Sequence, residues 1–457
     1  MRRRVHLVGI GGAGLSAIAR ILHERGEVVT GSDQVKSKFA EALEGIGIPI
    51  IYGHRAENVV DADLIVASSA VPQGNVELQT AKDIGIPVVR RPAFLSELTA
   101  DHSVIAVAGT HGKSTTTGLI AWLLHRAEYD PTFIVGGNLP NFETNAKAGA
   151  GTYFVIEADE YDRTFLGLQP SVAVVTNVEH DHPDCYPTFD QFEAAFIDFS
   201  KLVKELLVVC ADDPGASSLS PKGIARTTYG LVADADWRAE DIRPNPAGGS
   251  DFLVYQRSEM LGLARTRLPG KHNVLNALAA LVVGDHLGLD FKSMREGLTD
   301  FLGVGRRFEI VGEVGGVTVV DDYAHHPTEI KATLQAARER FPDGDLWAVF
   351  QPHTFSRIRA LLDEFAQSFE EADHVIVTEV FASREDPDPM IDGGKIAERI
   401  DHPDVTFIAM LSDAAEHLAE KVDTGSVVIT LSAGDGNKVG SLLLQDLAAE
   451  KGERRHD

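Results

Sequence analysis

The stretch GTHGKSTTT sets Gly109, Thr110, His111, Gly112, Lys113, Ser114 and Thr115 between an apolar run, VIAVA, and a run of helical character, TTTGLIAWLLHRA. Glycines let backbone N–H groups turn toward phosphate oxygens, and a helix N-terminus adds positive potential. A lysine neutralises terminal phosphates, and the hydroxyl after it can hold Mg²⁺. Val107 stands where the longer phosphate-loop pattern begins with glycine, so the loop reads GxxGK[ST]. A plain glycine turn before a helix needs neither the lysine nor the hydroxyl, so a nucleoside triphosphate is the expected ligand.

Two acidic groups follow strand-like runs. EADEYD carries Glu157, Asp159, Glu160 and Asp162; NVEHDHPD carries Glu179, His180, Asp181, His182 and Asp184. In an open α/β sheet, ligands gather beyond the carboxyl ends of the strands, so both groups should converge with the phosphate loop on one metal. Carboxylate and phosphate oxygens suit magnesium; zinc would want cysteine partners that are absent here. Glu157 and His182 are the functional candidates, whereas Asp162 and Asp184 read as helix caps or solvent-facing acids.

Further along, KHNVLNALAA places Asn273 and Asn276 at a helix start, where Asn273 could cap the helix or meet a base edge. VVDDYAHHPTEI ends a strand with Asp322, suited to ribose hydroxyls, and follows it with His325 and with Pro327 in a first helical turn. QPHTFSRIRALL supplies His353, Arg357 and Arg359, and an arginine fork suits a carboxylate or phosphate. At the other end, VGIGGAGLSAIA matches GxGxxG at Gly9, Gly11 and Gly14, with Asp33 nineteen positions after Gly14. That spacing fits a nicotinamide dinucleotide with Asp33 on its ribose, yet the glycines alone only say that some diphosphate approaches a helix N-terminus.

These residues need strands that end at a common edge. From Val5 to about Leu98 short apolar runs (VHLVGI, VVTGSD, DLIVASSA, IPVVRR) alternate with amphipathic ones, the rhythm of a parallel sheet with crossover helices. A second set runs from SVIAVAGTHGK through YFVIEADE, SVAVVTN and ELLVVCADD, with a small β excursion near PNPAGGSDFLVYQR. A third contains GVTVVDD, DLWAVFQPH, HVIVTEVF and SVVITLSAGDG. The expectation is an α/β chain of three domains, 1–101, 102–307 and 308–457, and a charged, frayed end at EKGERRHD.

The 457 residues suit two or three such domains. A formal charge of -26 repels polyanions at long range, which argues against nucleic acid and anionic membrane as partners. Two cysteines, Cys185 and Cys210, form no CxxC pair, so a reducing cytoplasm is expected. The basic start before an apolar stretch imitates a secretory signal, but His6 and the glycines interrupt it and another strand follows. No apolar run is long enough to insert in a membrane.

Taken in order, GIGGAG, SSAVP, GTHGKSTTT, EADEYD, TNVEHDH, KHNVLNA, RRFE, DDYAHHPTE, QPHTFSR and SAGDGNK span nearly the whole chain and closely resemble the Mur ligases of peptidoglycan synthesis. The resemblance is strongest to the branch that joins L-alanine to UDP-N-acetylmuramate. It implies a Rossmann-like UDP-sugar domain, a central ATPase and a C-terminal Rossmann-like domain completing the ATP and amino-acid sites. It implies that the loop from Gly109 to Thr115 holds ATP, with Lys113 on the phosphates and Ser114 on Mg²⁺, while Glu157 and His182 support a second magnesium. It further assigns Asn273 and Asn276 to adenine, Asp322 to ribose, His325 to the phosphates and Arg357 to the amino-acid carboxylate. Gly11, Gly12, Gly14, Asp33, Ser69 and His353 would face the other substrate groups, and the first diphosphate becomes that of a UDP-sugar. Phe196 stands where other branches carry a carbamylated lysine, which argues against the addition of D-glutamate or the third residue. Thr354 stands where some alanine-adding members have arginine.

The implied reaction is ATP-dependent amide formation through an acyl phosphate. By residue type, His182, His325 and His353 could each accept the amine proton. The competing readings are a recycling ligase that joins a preformed tripeptide to the same sugar and, in a different class, a nicotinamide-dependent dehydrogenase.

Overall fold

Short buried apolar runs bounded by glycine turns become strands, and the computed structural model, which describes residues 2–453, gathers them into three sheets. The chain is a three-domain α/β protein. In the first sheet Arg4–Val8, Val28–Asp33, Leu64–Ala67, Ile50–Tyr52 and Val88–Arg90 are all parallel. Arg4–Val8 lies between Val28–Asp33 and Leu64–Ala67, so the chain reverses its direction of winding there. That switch point opens a crevice at the carboxyl edge, and the VGIGGAG turn sits in it.

The central sheet has ten strands. Its parallel middle runs through Leu206–Cys210, Val172–Val175, Ser103–Ala108 and Tyr153–Glu157, so the phosphate loop and both acidic groups leave neighbouring strands at one edge. The β excursion is a three-strand antiparallel extension, Trp237–Pro244, Ser250–Gln256 and Glu259–Thr266, of this same sheet. A hairpin, Thr132–Leu139 with Thr144–Lys147, closes the opposite edge and was not legible from periodicity. The helix Lys113–Arg126 is buried along most of its length because it is packed between the sheet and the helix Lys271–His286.

The third sheet has six strands, all parallel except Glu309–Val314. Its final helix, Lys438–Glu453, carries the start of the charged tail; residues 454–457, where the fraying was expected, lie outside the described residues. No helix among the described residues is long and apolar enough to cross a membrane.

Candidate active site

Gly112 caps the helix Lys113–Arg126 in the left-handed region, φ +80°, and Gly109 sits at φ +136°. A β-carbon on Gly109 would lie 1.9 Å from Thr176 Oγ1, and one on Gly112 would lie 2.5 Å from Asn276 Oδ1, so both glycines are demanded by close approach as well as by φ. The loop is braced from the TNVE segment. His111 N donates to Asn177 Oδ1 at 2.8 Å, Thr176 Oγ1 donates to His111 O at 2.5 Å, and Thr110 Oγ1 donates to Glu179 O at 2.8 Å.

Lys113 Nζ donates to Gly109 O (2.5 Å), Thr110 O (3.0 Å) and Glu160 Oε1 (2.9 Å). Burial disfavours its charge, but Glu160 and Glu157 outweigh that and raise its pKa, so the lysine stays cationic. Ser114 Oγ lies 3.0 and 2.9 Å from the two oxygens of Glu157, which also accepts from Gly136 N. Thr115, the next residue, is buried in the first helical turn and lines the adjoining cavity.

Glu160, named within the EADEYD group but not singled out from it, lies at the centre. It is almost wholly buried, it binds Lys113, it stands 3.6 Å from His182 Nε2, and its Oε2 has no hydrogen-bond partner among the described residues. Burial pushes its carboxyl pKa up, and Lys113 with His182 pull it below the ordinary value. The carboxylate neighbours of His182 are therefore Glu160 and Asp181, while Glu157 faces Ser114. His182 itself is held at φ +55°.

The C-terminal domain closes this site. Arg357 is only 3% exposed, and its Nε donates to Asp181 Oδ1 at 2.8 Å across the domain boundary. Burial opposes the Asp181 charge, yet Arg357 holds that carboxyl well below the usual carboxylate range. Thr328 Oγ1 donates to Glu179 Oε1 at 2.6 Å. His111 bridges Glu179 Oε2 (3.0 Å) and Glu329 Oε1 (3.2 Å); burial lowers its pKa, but these two carboxylates raise it to about 9. His111, Glu179 and His326 also lie close enough to share an ion. The doubly paired, protonated His111 has no lone pair to offer one.

The three candidate bases separate by geometry. His182 lies between two carboxylates, which overcome burial and raise its pKa. His353 Nδ1 accepts from Arg357 Nη1 at 3.1 Å; burial, then Arg357 and Arg384, push its pKa down to about 4. His325 Nδ1 lies 2.8 Å from Tyr323 O and so carries the proton, which leaves a lone pair on Nε2, and burial with Arg357 keeps the ring neutral.

Asn273 and Asn276 do not cap their helix. Asn273 Nδ2 donates to Pro269 O at 2.7 Å, Asn276 Nδ2 to Asn273 Oδ1 at 3.1 Å, and Thr116 Oγ1 to Asn276 Oδ1 at 3.1 Å. Both line a cavity with His111, Ser114, Arg307 and Asp322. Asp322 accepts from Phe308 N and Ala324 N, each at 2.7 Å, and burial pushes its pKa up to about 6. In the first domain Asp33 Oδ2 accepts from Gly11 N at 2.8 Å, so this acid fixes the glycine turn in which Gly12 is exposed. Ser69 is exposed on the SSAVP loop, whose Ser68 faces Gly9. A β-carbon on Gly14 would lie 2.7 Å from Arg91 Nη1. Arg91 also binds Asp159 Oδ2 at 3.2 Å, linking the glycine turn to EADEYD, a role no motif announced.

Family models match three successive stretches: "Mur ligase family, catalytic domain" over residues 4–103, "Mur ligase middle domain" over 107–284 and "Mur ligase, glutamate ligase domain" over 306–434. Proteins named UDP-N-acetylmuramate--L-alanine ligase are similar along their length. The one from Salinibacter ruber is 46% identical over 440 residues, 95% of this chain and 92% of that protein. The one from Caldanaerobacter subterraneus is 42% identical over 451 residues, 97% and 98% of the two chains. Among solved structures, UDP-N-acetylmuramate-alanine ligase MurC from Thermotoga maritima superposes with a TM-score of 0.84 at 30% identity, covering 98% of this chain and 99% of that one. A murein peptide ligase from Psychrobacter arcticus gives 0.73 at 28% identity, covering 97% and 98%. With its three domains matched in order and full-length relatives at this identity, the chain belongs to the Mur ligase family.

Proposed function

We propose that this chain joins L-alanine to the lactyl carboxylate of UDP-N-acetylmuramate with ATP as the energy source, working in a reducing cytoplasm. The observation that carries this reading is the pairing of Arg357 with Asp181. It brings a buried guanidinium from the C-terminal domain, with one nitrogen left for a substrate, to the acid next to His182, in the same cleft as the phosphate loop. A carboxylate is a poor electrophile until one oxygen becomes a phosphate leaving group. The lactyl carboxylate therefore attacks the γ-phosphoryl group, and the alanine amine then displaces phosphate from the acyl phosphate.

Lys113, kept charged by Glu160 and Glu157, stabilises the negative charge of the in-line transfer. The donor set fits a hard divalent cation: a hydroxyl on Ser114, the carboxylate of Glu157, and beside His182 a buried Glu160 oxygen without a partner among the described residues. Ser114 would hold one Mg²⁺ and Glu157 with His182 would support a second, from opposite sides of the cleft since Glu157 faces Ser114 and His182 faces Glu160; when bound, the ions would neutralise charge on the transferred phosphoryl group. Arg357 orients the amino acid by its carboxylate, and closure of the C-terminal domain keeps water from the acyl phosphate. The neutral His325, with its free Nε2, accepts the amine proton. Asn273, Asn276 and Asp322 line the nucleoside side of the cavity. The first domain, taken as 1–101, holds the UDP group over Gly11, Gly12 and Gly14, with 102–307 and 308–457 as the other two units.

Purified protein given ATP, Mg²⁺ and UDP-N-acetylmuramate should release phosphate on addition of L-alanine. Release with the tripeptide and none with L-alanine would replace this reading with the recycling reaction, and binding of NADH without UDP-sugar would overturn both. The Thermotoga and Psychrobacter comparisons support the alanine-adding reading over the recycling one.

A further inference from the structure

Arg357 can offer little of its fork to a substrate. Its Nε is committed to Asp181, and its Nη1 is shared between His353 Nδ1 at 3.1 Å and Thr354 Oγ1 at 3.4 Å, so only Nη2 has no partner among the described residues. Both two-nitrogen edges of the guanidinium are thereby interrupted, and a side-on pair with a carboxylate is denied. Thr354, at φ +63°, supplies a hydroxyl and no charge at the next position along the turn.

A second cation stands across the same turn. The segment Phe381 to Glu385 is stitched to it at both ends. Phe381 N donates to Pro352 O at 2.8 Å and Thr354 N to Phe381 O at 3.0 Å, while Glu385 Oε2 accepts from Ser356 N at 3.0 Å. Arg384, between these anchors, lays its guanidinium carbon 4.1 Å above the ring of Tyr161, whose own ring lies 5.1 Å from that of His182. Its Nη2 is 3.4 Å from Asp184 Oδ2, a long contact, and its side chain is 51% exposed. Most of its donors therefore remain available. Asp184 accepts from Tyr161 at 3.1 Å and pairs with Arg384, which is not the helix cap its type suggested.

We propose that Arg384 is the second arm of a carboxylate clamp with Arg357, and that this clamp sets the preference for a free amino acid over the amino end of a peptide. The inference rests on the ligase reading above and sharpens it. A free amino acid carries an anionic carboxylate on the carbon bearing the reacting amine. The first residue of a peptide presents a neutral amide there, which gives the two guanidinium groups, both of which bear on His353, nothing to neutralise.

L-alaninamide imitates that peptide end, so the test compares kcat/KM for L-alanine and L-alaninamide in the wild type and in Arg384→Ala, with ATP and UDP-N-acetylmuramate saturating. The wild type should favour L-alanine, and the variant should lose at least about 10-fold of that preference, as expected for a charged hydrogen bond. The KM values for ATP and UDP-N-acetylmuramate should stay unchanged. Arg384 is half exposed on a surface segment, so its removal should leave the melting temperature near that of the wild type. An equal loss for both amines would mean that Arg384 merely pins the domains through Tyr161 and Asp184, and would overturn the clamp. A wild type that accepts both amines equally would also overturn it while leaving the ligase reading standing. A wild type that uses neither would remove the ligase reading and the clamp with it.

Discussion

Lys113 and Glu160 form the pair on which phosphoryl transfer depends most. Lys113→Ala should abolish substrate-dependent phosphate release, by about 10³-fold or more, while circular dichroism stays native. Release at the wild-type rate would contradict the role given to the loop. Glu160→Gln keeps the shape but removes the charge that Lys113 and His182 share, so kcat should fall by about 10- to 100-fold. An unchanged kcat would make Glu160 a bystander. The difference in legibility between these two residues has a physical cause. Lys113 belongs to a local pattern whose spacing is dictated by backbone geometry around phosphate. Glu160 was one of four acids in EADEYD, and what distinguishes it is burial beside a lysine 47 positions earlier in the chain. Arg91, Glu329 and Arg384 were hidden for the same reason, since each matters through partners on a different domain.

Among the elements, the helix Pro327–Arg340 couples the phosphate loop to the C-terminal domain. It starts with His326 accepting from Thr328 N, Pro327 in the first turn and Glu329 aimed at His111, while Arg338 and Arg340 complement its carboxyl end. His111 is faced by Glu179 from its own domain and by Glu329 and the His326 ring from the other, with Arg307 also pairing to Glu329 and His272 nearby. Its folded pKa of about 9 exceeds the ordinary 6.5. The stabilisation it contributes is therefore complete below pH about 6.5 and is lost as pH rises through about 9. The difference in melting temperature between the wild type and Glu329→Gln should shrink across that interval, and a constant difference would dismiss the clasp. Strand–turn–helix units of this kind were readable because apolar runs and glycines mark them locally. The hairpin Thr132–Leu139 with Thr144–Lys147 was not, because its register depends on the neighbouring strand Tyr153–Glu157.

At the level of the whole molecule, the cleft exists only while the central and C-terminal domains stay together. Arg357 with Asp181 is the most buried of the links that hold them, at 4% and 6% side-chain exposure. Asp181→Ala would leave a guanidinium buried and unpaired, a change of about 3–5 kcal/mol against the closed form. Small-angle scattering should then report a larger radius of gyration than for the wild type, and an identical radius would show that closure rests on other contacts. The domain order was legible because each domain carries its own glycine turns and apolar rhythm. The closure was not, since every link across the cleft joins residues far apart in the chain. The central claim, that a carboxylate is activated by phosphorylation inside this cleft, is tested most directly with UDP-N-acetylmuramate whose lactyl carboxylate carries heavy oxygen. One labelled oxygen should appear in each inorganic phosphate released as L-alanine is joined; unlabelled phosphate formed together with the amide would contradict an acyl phosphate.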